Sequence, residues 1–339
     1  MLTGGGDCPG LNAVIRAVAR TSIDRGDEVI GVMYGWRGMV EGHTRPLGAN
    51  DVSGLLPRGG TILRTSRTNP FEIDGGLERV LEHMAGLDAL VAIGGEDTLG
   101  VAARLQDEHG AHIVGVPKTI DNDLNGTDYT FGFDTAVMIA TEAIDRLHST
   151  AESHNRVMVC EVMGRQTGWI AVMAGMAGGA DVILIPELPM TVEQCCGFIR
   201  NRHAKGKDFS IVVVSEGYAL QFESGESRTV ASADVDAFGH PRLGGVGAAL
   251  AAEIEQRTRF ETRVTTLGHV QRGGSPTARD RVLATRFGLK AADLVREGSW
   301  GMMAALRGDE IVAVPIAEAV AQLKVVPHDL YAQSGAFFG

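Results

Sequence analysis

The sequence predicts an α/β protein with two doubly wound domains, each built on a parallel sheet covered by helices. Three observations support this class. The chain has 339 residues, more than one hydrophobic core ordinarily organises. Short apolar runs alternate with amphipathic segments along its length, which is typical of α/β folds. The runs are mostly continuous in apolar residues, as expected for strands that are buried on both faces.

The individual elements follow from the hydrophobic pattern. Leu11, Val14, Ile15 and Val18 repeat with helical spacing and predict a first amphipathic helix. Further helices are predicted at 135–147, 192–203, 247–257 and 280–295. Buried strands are predicted at 90–93, 113–116, 157–162, 182–185, 211–214 and 264–267. In sheets of this kind ligands bind at the carboxyl ends of the strands, so the loops after these runs are the candidate sites.

Charge and cysteine usage exclude several classes of protein. The formal net charge of -11 argues against a nucleic-acid partner, which needs a basic face. No C-x-x-C pair occurs among the four cysteines, so a metal or disulfide framework is not indicated. These cysteines are Cys8, Cys160, Cys195 and Cys196.

The sequence patterns expected for secretion or membrane insertion are not seen, which favours a cytoplasmic location. The first seven residues lack the basic and apolar regions of a signal peptide. The longest nearly apolar stretch, 169–180, is too short and too rich in glycine to span a bilayer. Reduced cysteines fit an intracellular protein, and we predict a cytoplasmic location.

The first candidate site is the glycine-rich loop that opens the helix from Leu11. Gly4, Gly5 and Gly6 allow backbone N–H groups to approach an anion, and the helix N-terminus adds a favourable dipole. The run matches neither a Walker A loop nor the dinucleotide fingerprint. A tight strand-to-helix turn without a ligand is the alternative.

Two acidic loops follow predicted strands. Glu96 and Asp97 come directly after Gly94-Gly95 and could present carboxylates to Mg2+ or stabilise the N-terminus of the next helix. The run Pro117-Lys118-Thr119-Ile120-Asp121-Asn122-Asp123 places one cation and two carboxylates after the strand at 113–116. Neighbouring carboxylates shift each other's pKa, which can leave one as a general base, whereas a solvated acidic turn is the alternative.

Several arginines follow strand ends in a chain that is acidic overall. Arginine suits bidentate recognition of phosphate, although any one of them could form an ordinary surface ion pair. The group comprises Arg67, Arg156, Arg165, Arg263 and Arg272.

These runs together identify a family resemblance. The segments GGGDCPGLNAVIR, GGEDT, PKTIDND, ESHNR, EVMGR, SEG and LGHVQRGG resemble the bacterial-type 6-phosphofructokinases in order and spacing over essentially the whole chain. The pairing of GGEDT with PKTIDND is most similar to the pyrophosphate-dependent type of the actinobacterial branch. The resemblance implies Mg2+-dependent transfer of a phosphoryl group to the 1-hydroxyl of fructose 6-phosphate in glycolysis, with a reversible reaction.

The resemblance also implies a role for each candidate residue. Asp121 matches the general base, with Arg165 and Lys118 neutralising the transferring phosphoryl group, and Glu96 matches the Mg2+-binding acid. Gly5, Gly6, Arg67, Asp97 and Lys118 would bind the donor. Fructose 6-phosphate would be bound by Thr119, Asp121, Asp123, Arg156, Met163, Gly164, Arg165, Glu216, Arg263, His269 and Arg272.

The same resemblance gives the expected assembly and domain bounds. Residues 1–132 with 271–322 would form the donor domain, and residues 133–270 with 323–339 the fructose 6-phosphate domain, with the active site in the cleft between them. Arg156 and Arg263 would reach the site of a neighbouring subunit, so a homodimer or homotetramer is expected.

Two positions carry the prediction of pyrophosphate as donor. ATP users of the family have glycine where this chain has Asp97, and a carboxylate there would fill the space of the α-phosphate and repel it. Lys118 replaces another glycine and could hold a phosphate by its point charge. An ATP-dependent enzyme of the same family remains the alternative.

Two departures from the family pattern stand out. Relatives usually have a short apolar strand before L-T-G-G-G, and most of it is missing ahead of Leu2, although it would be central in the first sheet. Arg64 stands where many relatives have glycine, next to the donor loop, where it could contact phosphate or crowd the loop.

Two other classes of protein are disfavoured by the sequence. A non-catalytic sugar-phosphate sensor would not need the acid at Asp121. A dinucleotide-dependent oxidoreductase would need a G-x-G-x-x-G run after a strand, and the sequence has none in that context.

Overall fold

The computed structural model describes residues 1–235, 238–239 and 241–339, with the backbone alone at 231–235 and 241–242. Its helices are α1 (Leu11–Asp24), α2 (Trp36–Glu41), α3 (Gly76–Met84), α4 (Glu96–His109), α5 (Phe133–His154), α6 (Trp169–Ala177), α7 (Val192–Ala204), α8 (Val246–Thr258), α9 (Ala278–Glu297), α10 (Ile316–Ala321) and α11 (His328–Gly335). Short 3-10 turns lie at Pro70–Glu72 and Gly268–Arg272.

The strands alternate with these helices along the chain. They are β1 (Leu2–Thr3), β2 (Ile30–Val32), β3 (Thr44–Pro46), β4 (Leu90–Gly94), β5 (Ile113–Thr119), β6 (Phe131–Gly132), β7 (Val157–Val162), β8 (Val182–Leu184), β9 (Ser210–Ser215), β10 (Leu220–Gln221), β11 (Ser227–Arg228), β12 (Ala231–Val235), β13 (Pro241–Leu243), β14 (Thr262–Thr266), β15 (Met302–Arg307) and β16 (Glu310–Pro315).

The chain forms two compact units. Unit 1 contains Met1–Thr135, 238–239 and Arg272–Leu323, and unit 2 contains Ala136–Val235, 241–271 and Lys324–Gly339. The boundary at residue 135 falls inside α5, so one helix supplies residues to both. The assignment of a donor domain and a sugar domain stays a prediction.

Unit 1 is built on a mostly parallel sheet with the order β16-β15-β5-β4-β1-β2-β3, and β6 also pairs with β5. The pairs β15–β16 and β2–β3 at its two ends are antiparallel. All residues of β4 and β5 are buried, as continuous apolar strands covered on both faces require. The short β1 lies between β4 and β2, the central position expected from the family pattern, and Leu2 is fully buried there.

Unit 2 contains a parallel sheet with the order β14-β7-β9-β8. Strands β7 and β9 are buried throughout and pair from Val157 opposite Ser210 to Val162 opposite Ser215. The two parallel sheets confirm the predicted α/β class.

One predicted strand differs in its burial. The run at 264–267 was predicted as a buried strand, but the observed strand β14 is Thr262–Thr266 and is largely exposed. Val264 is 39% exposed. The prediction of burial is wrong because β14 is an edge strand of its sheet, and its apolar residues are not covered as those of β7 are.

Within the residues described, none of the helices combines the length and the apolar character needed to cross a lipid bilayer.

Candidate functional site

The candidate residues of unit 1 lie after three neighbouring parallel strands. The glycine loop follows β1, Glu96 and Asp97 follow β4, and the acidic run follows β5. Because β1 pairs with β4 and β4 with β5, all in parallel, their carboxyl ends share one edge of the sheet. The fold therefore brings these three sequence motifs together.

The glycine loop is fixed by backbone and hydroxyl hydrogen bonds. Gly5 adopts a φ of +76°, in the left-handed region that favours glycine. Its N–H donates to the Ser66 carbonyl at 3.1 Å, and its own carbonyl accepts from the Thr65 hydroxyl at 2.6 Å. The segment that ends in the predicted donor residue Arg67 is thus held directly against the loop. Arg67 itself is exposed.

Lys118 brings a cation to the same loop. Its side chain is 3% exposed, and its Nζ donates to the Gly6 carbonyl at 2.5 Å. A Cβ on Gly5 would lie 3.4 Å from that Nζ, so the ammonium group closes one side of the loop. Burial lowers the pKa of Lys118, because the charged form loses its water.

Arg272 supplies a second cation to the loop. Its Nη1 donates to the Asp7 carbonyl at 3.4 Å, and a Cβ on Gly6 would lie only 2.7 Å from that nitrogen. In the structure Arg272 lies against the glycine loop within unit 1, and its assignment to fructose 6-phosphate by the resemblance stays a prediction. Arg272 and Asp7 are 265 positions apart in the chain, so this contact could not be predicted from local sequence patterns.

The acidic run after β5 places the carboxyl groups of Asp121 and Asp123 close enough to interact electrostatically. Burial and then the Asp121 carboxylate raise the pKa of Asp123 to about 7, and the Glu96 carboxylate acts in the same direction. Hydrogen bonds from its backbone and from Thr119 oppose the shift. The raised pKa brings the titration of Asp123 toward neutral pH, the range in which a side chain exchanges protons most readily in catalysis.

The turn that carries the cluster depends on residues that sequence reasoning missed. Asn122 has a φ of +52°, a conformation that asparagine tolerates better than most residues. Its Oδ1 accepts from the Thr130 N–H at 3.1 Å, and the Thr130 hydroxyl donates to the Thr119 carbonyl at 2.7 Å. The Thr119 hydroxyl in turn accepts from the Asp121 N–H at 3.0 Å.

The acids after β4 open helix α4. Gly95 is the N-cap, and both Glu96 and Asp97 belong to the first turn, where negative charge is favoured by the helix dipole. The described residues contain no group of three or more protein ligands arranged around a metal ion. Mg2+ commonly uses one or two carboxylates together with substrate phosphates. The exposed Glu96 beside the Asp121–Asp123 pair fits that pattern.

The candidate residues of unit 2 divide into two groups. Met163, Gly164 and Arg165 follow β7, Glu216 follows β9, and His269 follows β14. These three strands are parallel neighbours, so their carboxyl ends meet at one edge. The Met163 N–H donates to the buried Gln271 Oε1 at 3.4 Å, and the Glu216 N–H donates to the Val162 carbonyl at 2.9 Å. His269 is exposed.

Close backbone packing fixes the first group. Gly164 has a φ of +136°, and its carbonyl accepts from the buried Ser215 hydroxyl at 2.6 Å. A Cβ on Gly217 would lie 1.8 Å from the Arg165 carbonyl oxygen, so only glycine fits there. Ser215 and Gly217 position the Gly164–Arg165 segment, and the quoted run SEG hinted at them without showing this contact.

Arg165 has an unsatisfied donor. Its Nη2 is buried and lacks a hydrogen-bond partner within the described part of the chain. A buried guanidinium N–H without an acceptor is costly, which favours an anionic ligand at this position.

The second group lies at the other end of the strands. Arg156 directly precedes β7 and forms an ion pair with Glu261 at 2.8 Å, and Arg263 pairs with the same carboxylate. The hydrogen bond from Arg156 and the charge of both arginines lower the pKa of Glu261. Strand β7 has six residues, so this pair lies about 20 Å from the Met163 group. Within one copy of unit 2 the structure does not bring the two groups together.

Sequence reasoning also missed Glu161, a buried acid in β7. Its two carboxylate oxygens accept from the N–H groups of Gly245 and Gly247 at 3.1 and 2.7 Å. These groups lie at the N-terminus of α8, so the carboxylate ties that helix to the sheet.

The parallel sheets and the loops at their strand ends define a doubly wound α/β protein, a class in which ligands commonly bind at the carboxyl ends of the strands. A family model described as Phosphofructokinase matches residues 1–295. The chain belongs to the phosphofructokinase family, and the resemblance inferred from its motifs is confirmed.

Individual relatives cover the whole chain. A protein of Amycolatopsis mediterranei named pyrophosphate–fructose 6-phosphate 1-phosphotransferase is 59% identical, covering 100% of this chain and 99% of its own length. A Mycobacterium tuberculosis protein named ATP-dependent 6-phosphofructokinase is 51% identical with the same coverage. The crystal structure of Pichia pastoris phosphofructokinase in the T-state has a TM-score of 0.80 and 33% identity, and covers 95% of this chain. This chain spans 37% of that protein's length.

The raised pKa of Asp123 predicts a pH-dependent effect of Asp123→Asn on stability. A carboxyl group with a raised folded-state pKa stabilises the fold below its unfolded pKa, and this contribution is lost as pH rises through about 7. The free energy of unfolding of the variant, relative to the native chain, should therefore rise by roughly 2–3 kcal/mol between about pH 5 and pH 8. Urea unfolding at a series of pH values measures this difference.

The control for this experiment is Asp107→Asn, which removes an exposed carboxylate of α4. It reports what the loss of one surface charge does over the same pH range. Parallel stability curves for the native chain and Asp123→Asn would show that Asp123 carries no raised pKa.

Proposed function

We propose that this chain transfers a phosphoryl group from pyrophosphate to the 1-hydroxyl of fructose 6-phosphate, giving fructose 1,6-bisphosphate and inorganic phosphate. The observation that carries the proposal is the edge of the unit 1 sheet. There the buried Lys118 closes the glycine loop, and an acid pair with one raised pKa follows the same strand. A pure binding protein would not need such an acid pair, so the sensor alternative is disfavoured.

The donor half of the reaction is assigned to unit 1. The backbone at Gly5 and Gly6, the exposed Arg67 and the buried Lys118 would hold pyrophosphate, with Arg272 as a further cation beside Gly6. Because phosphoryl transfer depends mainly on positioning and charge neutralisation, such a set of fixed cations suits the chemistry. Asp97 in the first turn of α4 would exclude an additional, α-phosphate group by its charge and size.

The sugar-phosphate half is assigned mainly to unit 2. Met163, Gly164, Glu216 and His269 would contact fructose 6-phosphate, and the unsatisfied Arg165 guanidinium would meet the transferring group. Thr119, Asp121 and Asp123 of unit 1 would face the 1-hydroxyl. The family resemblance gave these roles, and the shared strand edges support them.

Glu96, with the Asp121–Asp123 pair nearby, would hold Mg2+. The ion would supply charge neutralisation to the phosphate oxygens. In the chemical step, the sugar O1 forms a bond to phosphorus as the bridging P–O bond of pyrophosphate breaks. We propose that Asp121 accepts the hydroxyl proton, while the raised pKa of Asp123 favours its protonated form and so limits repulsion between the two acids. The reaction would be reversible and take place in the cytoplasm.

The ends of β7 support an oligomer. Arg156 and Arg263 share Glu261 about 20 Å from the Met163 group of their own unit. One sugar phosphate is much shorter than that distance. We therefore propose a homodimer or homotetramer in which these arginines bind the 6-phosphate at a neighbouring subunit's site.

The donor is tested by comparing pyrophosphate and ATP in the native chain and in Asp97→Gly. Formation of fructose 1,6-bisphosphate should require pyrophosphate in the native chain. The variant should raise the ratio of ATP to pyrophosphate turnover at least about tenfold, because close like charges repel by more than 1 kcal/mol. Asp97→Asn separates the two causes, since it removes charge but keeps size.

Turnover of the native chain with ATP alone would overturn the donor assignment and favour the ATP-dependent alternative, the activity named for the Mycobacterium tuberculosis relative. An unchanged donor ratio in Asp97→Gly would show that this residue is not the filter.

Replacement of Asp121 tests the general base. Asp121→Ser should lower turnover about 10²- to 10⁴-fold, the usual contribution of proton transfer, while fructose 6-phosphate still binds. Steady-state kinetics and isothermal titration calorimetry measure the two quantities. Asp107→Ser on the surface of α4 is the control for substitution of an acid, and near-native turnover of Asp121→Ser would sink the assignment.

The shared site predicts a specific defect for Arg263→Gln. Loss of a charge-assisted hydrogen bond to phosphate should raise the KM for fructose 6-phosphate about tenfold. Arg200→Gln, an exposed arginine of α7, should leave the KM unchanged. An unaltered KM in Arg263→Gln would contradict its role, and dilution of the native protein should lower specific activity as the oligomer dissociates.

A further inference from the structure

A polar cavity in unit 1 is lined by three arginines. It has a volume of about 530 Å³ and is lined by Arg45, Asp51, Arg58, Thr61, Ile62 and Arg64. Three arginines and one aspartate line the cavity, so the lining carries an excess of positive charge in a chain whose net charge is -11. A local cationic pocket of this kind attracts small anions despite the negative charge of the whole chain.

The lining arginines lack acidic partners. Across residues 1–235, 238–239 and 241–339, no carboxylate forms an ion pair with Arg45, Arg58 or Arg64. The one acid of the lining, Asp51, accepts a hydrogen bond from the Gly48 N–H at 2.8 Å. The Nε of Arg45 is buried and finds no hydrogen-bond acceptor within the described part of the chain. An anion with several oxygens would satisfy these donors.

The backbone around the cavity is rigid. The fully buried Asn12 donates from Nδ2 to the Arg58 carbonyl at 2.9 Å and accepts at Oδ1 from the Ile62 N–H at 2.9 Å. Arg64 has a φ of +59°, and its carbonyl accepts from the Thr3 hydroxyl at 2.7 Å. The backbone that carries Arg58 and Arg64 is therefore fixed before any ligand enters, which reduces the backbone entropy that binding would cost.

The same hydrogen bonds connect the cavity to the glycine loop. Thr3, in β1, contacts the Thr61 hydroxyl at 3.0 Å as well as the Arg64 carbonyl. One residue further along, the Thr65 hydroxyl donates to the Gly5 carbonyl. An anion held by Arg64 would lie a single residue from the segment that fixes Gly5.

We propose that this cavity is a second anion site, which binds pyrophosphate or inorganic phosphate separately from the donor loop. Both ligands present the tetrahedral oxygens that arginine recognises in a bidentate manner. The charge of three guanidinium groups favours the more highly charged pyrophosphate. The choice of these two ligands rests on the proposed function, of which they are the donor and a product. The cavity itself follows from its lining residues alone.

Equilibrium dialysis with labelled pyrophosphate in the absence of Mg2+ tests the proposal. The native chain should bind two equivalents per chain, one at the donor loop and one in the cavity. Arg45→Gln/Arg58→Gln should weaken one of the two sites at least about tenfold and leave the other intact. Arg67→Gln, at the proposed donor site, should weaken only the other one. Arg79→Gln on the exposed face of α3 is the charge-matched control and should bind as the native chain does.

A local measurement accompanies the binding data. Hydrogen–deuterium exchange of peptides covering residues 45–64 should slow on addition of pyrophosphate in Arg67→Gln and stay unchanged in Arg45→Gln/Arg58→Gln. Parallel titrations with inorganic phosphate and pyrophosphate distinguish the two ligands, and the proposal expects tighter binding of pyrophosphate.

The outcomes separate this proposal from the proposed function. If Arg45→Gln/Arg58→Gln binds both equivalents with native affinity, the cavity is not an anion site. If the native chain binds only one equivalent of pyrophosphate, and only Arg67→Gln weakens that binding, the cavity is likewise not an anion site. A single site that only Arg45→Gln/Arg58→Gln weakens would support the cavity and remove the donor loop as a pyrophosphate site.

Discussion

A buried ammonium group must have acceptors close by, and Lys118 meets this requirement through the carbonyl of Gly6. The contact joins the end of β5 to the loop after β1, although 112 residues separate the two partners. Glycine is needed at Gly5 because of its φ of +76°, and a Cβ on Gly6 would displace the Arg272 guanidinium group from its place beside the loop. Two cations are thus fixed beside backbone groups before a ligand arrives. Binding an anion there would need little rearrangement, which is the electrostatic preorganisation that phosphoryl transfer relies on.

Unit 2 also brings its candidate residues together at the ends of neighbouring parallel strands. Parallel strands β14, β7 and β9 end side by side, so short runs that are far apart in the chain present their side chains at one edge. This arrangement restricts two positions to glycine, because a Cβ on Gly164 or Gly217 would clash with neighbouring backbone atoms. Glu161 performs a different task on the same strand, since its carboxylate fixes α8 through two backbone N–H groups. The run EVMGR therefore combines a structural acid with residues that we propose to face the ligand.

Patterns that depend on neighbours in sequence could be read in advance. The continuous apolar runs predicted β4, β5, β7 and β9, because burial on both faces leaves no room for alternation. The glycine and acidic runs at strand ends predicted which loops share an edge. Contacts between distant segments could not be read. Arg272 lies against Asp7, Asn12 fixes Arg58 and Ile62, and β14 is exposed at the sheet edge. Each depends on how strands order themselves in space, which hydrophobic periodicity does not specify.

Arg64 shows how one departure from a family pattern gains meaning from its surroundings. Its left-handed backbone is the conformation in which glycine is least strained, so an arginine there needs compensation. Thr3 supplies part of it by donating to the Arg64 carbonyl, and the guanidinium group lies 5.7 Å from the centre of the Tyr34 ring. The side chain then joins Arg45 and Arg58 around the cavity, which Asp51 also lines. None of the three arginines forms an ion pair among the residues described. Recognition of a second anion accounts for all three, and it uses the same hydrogen bonds that hold Gly5 in place.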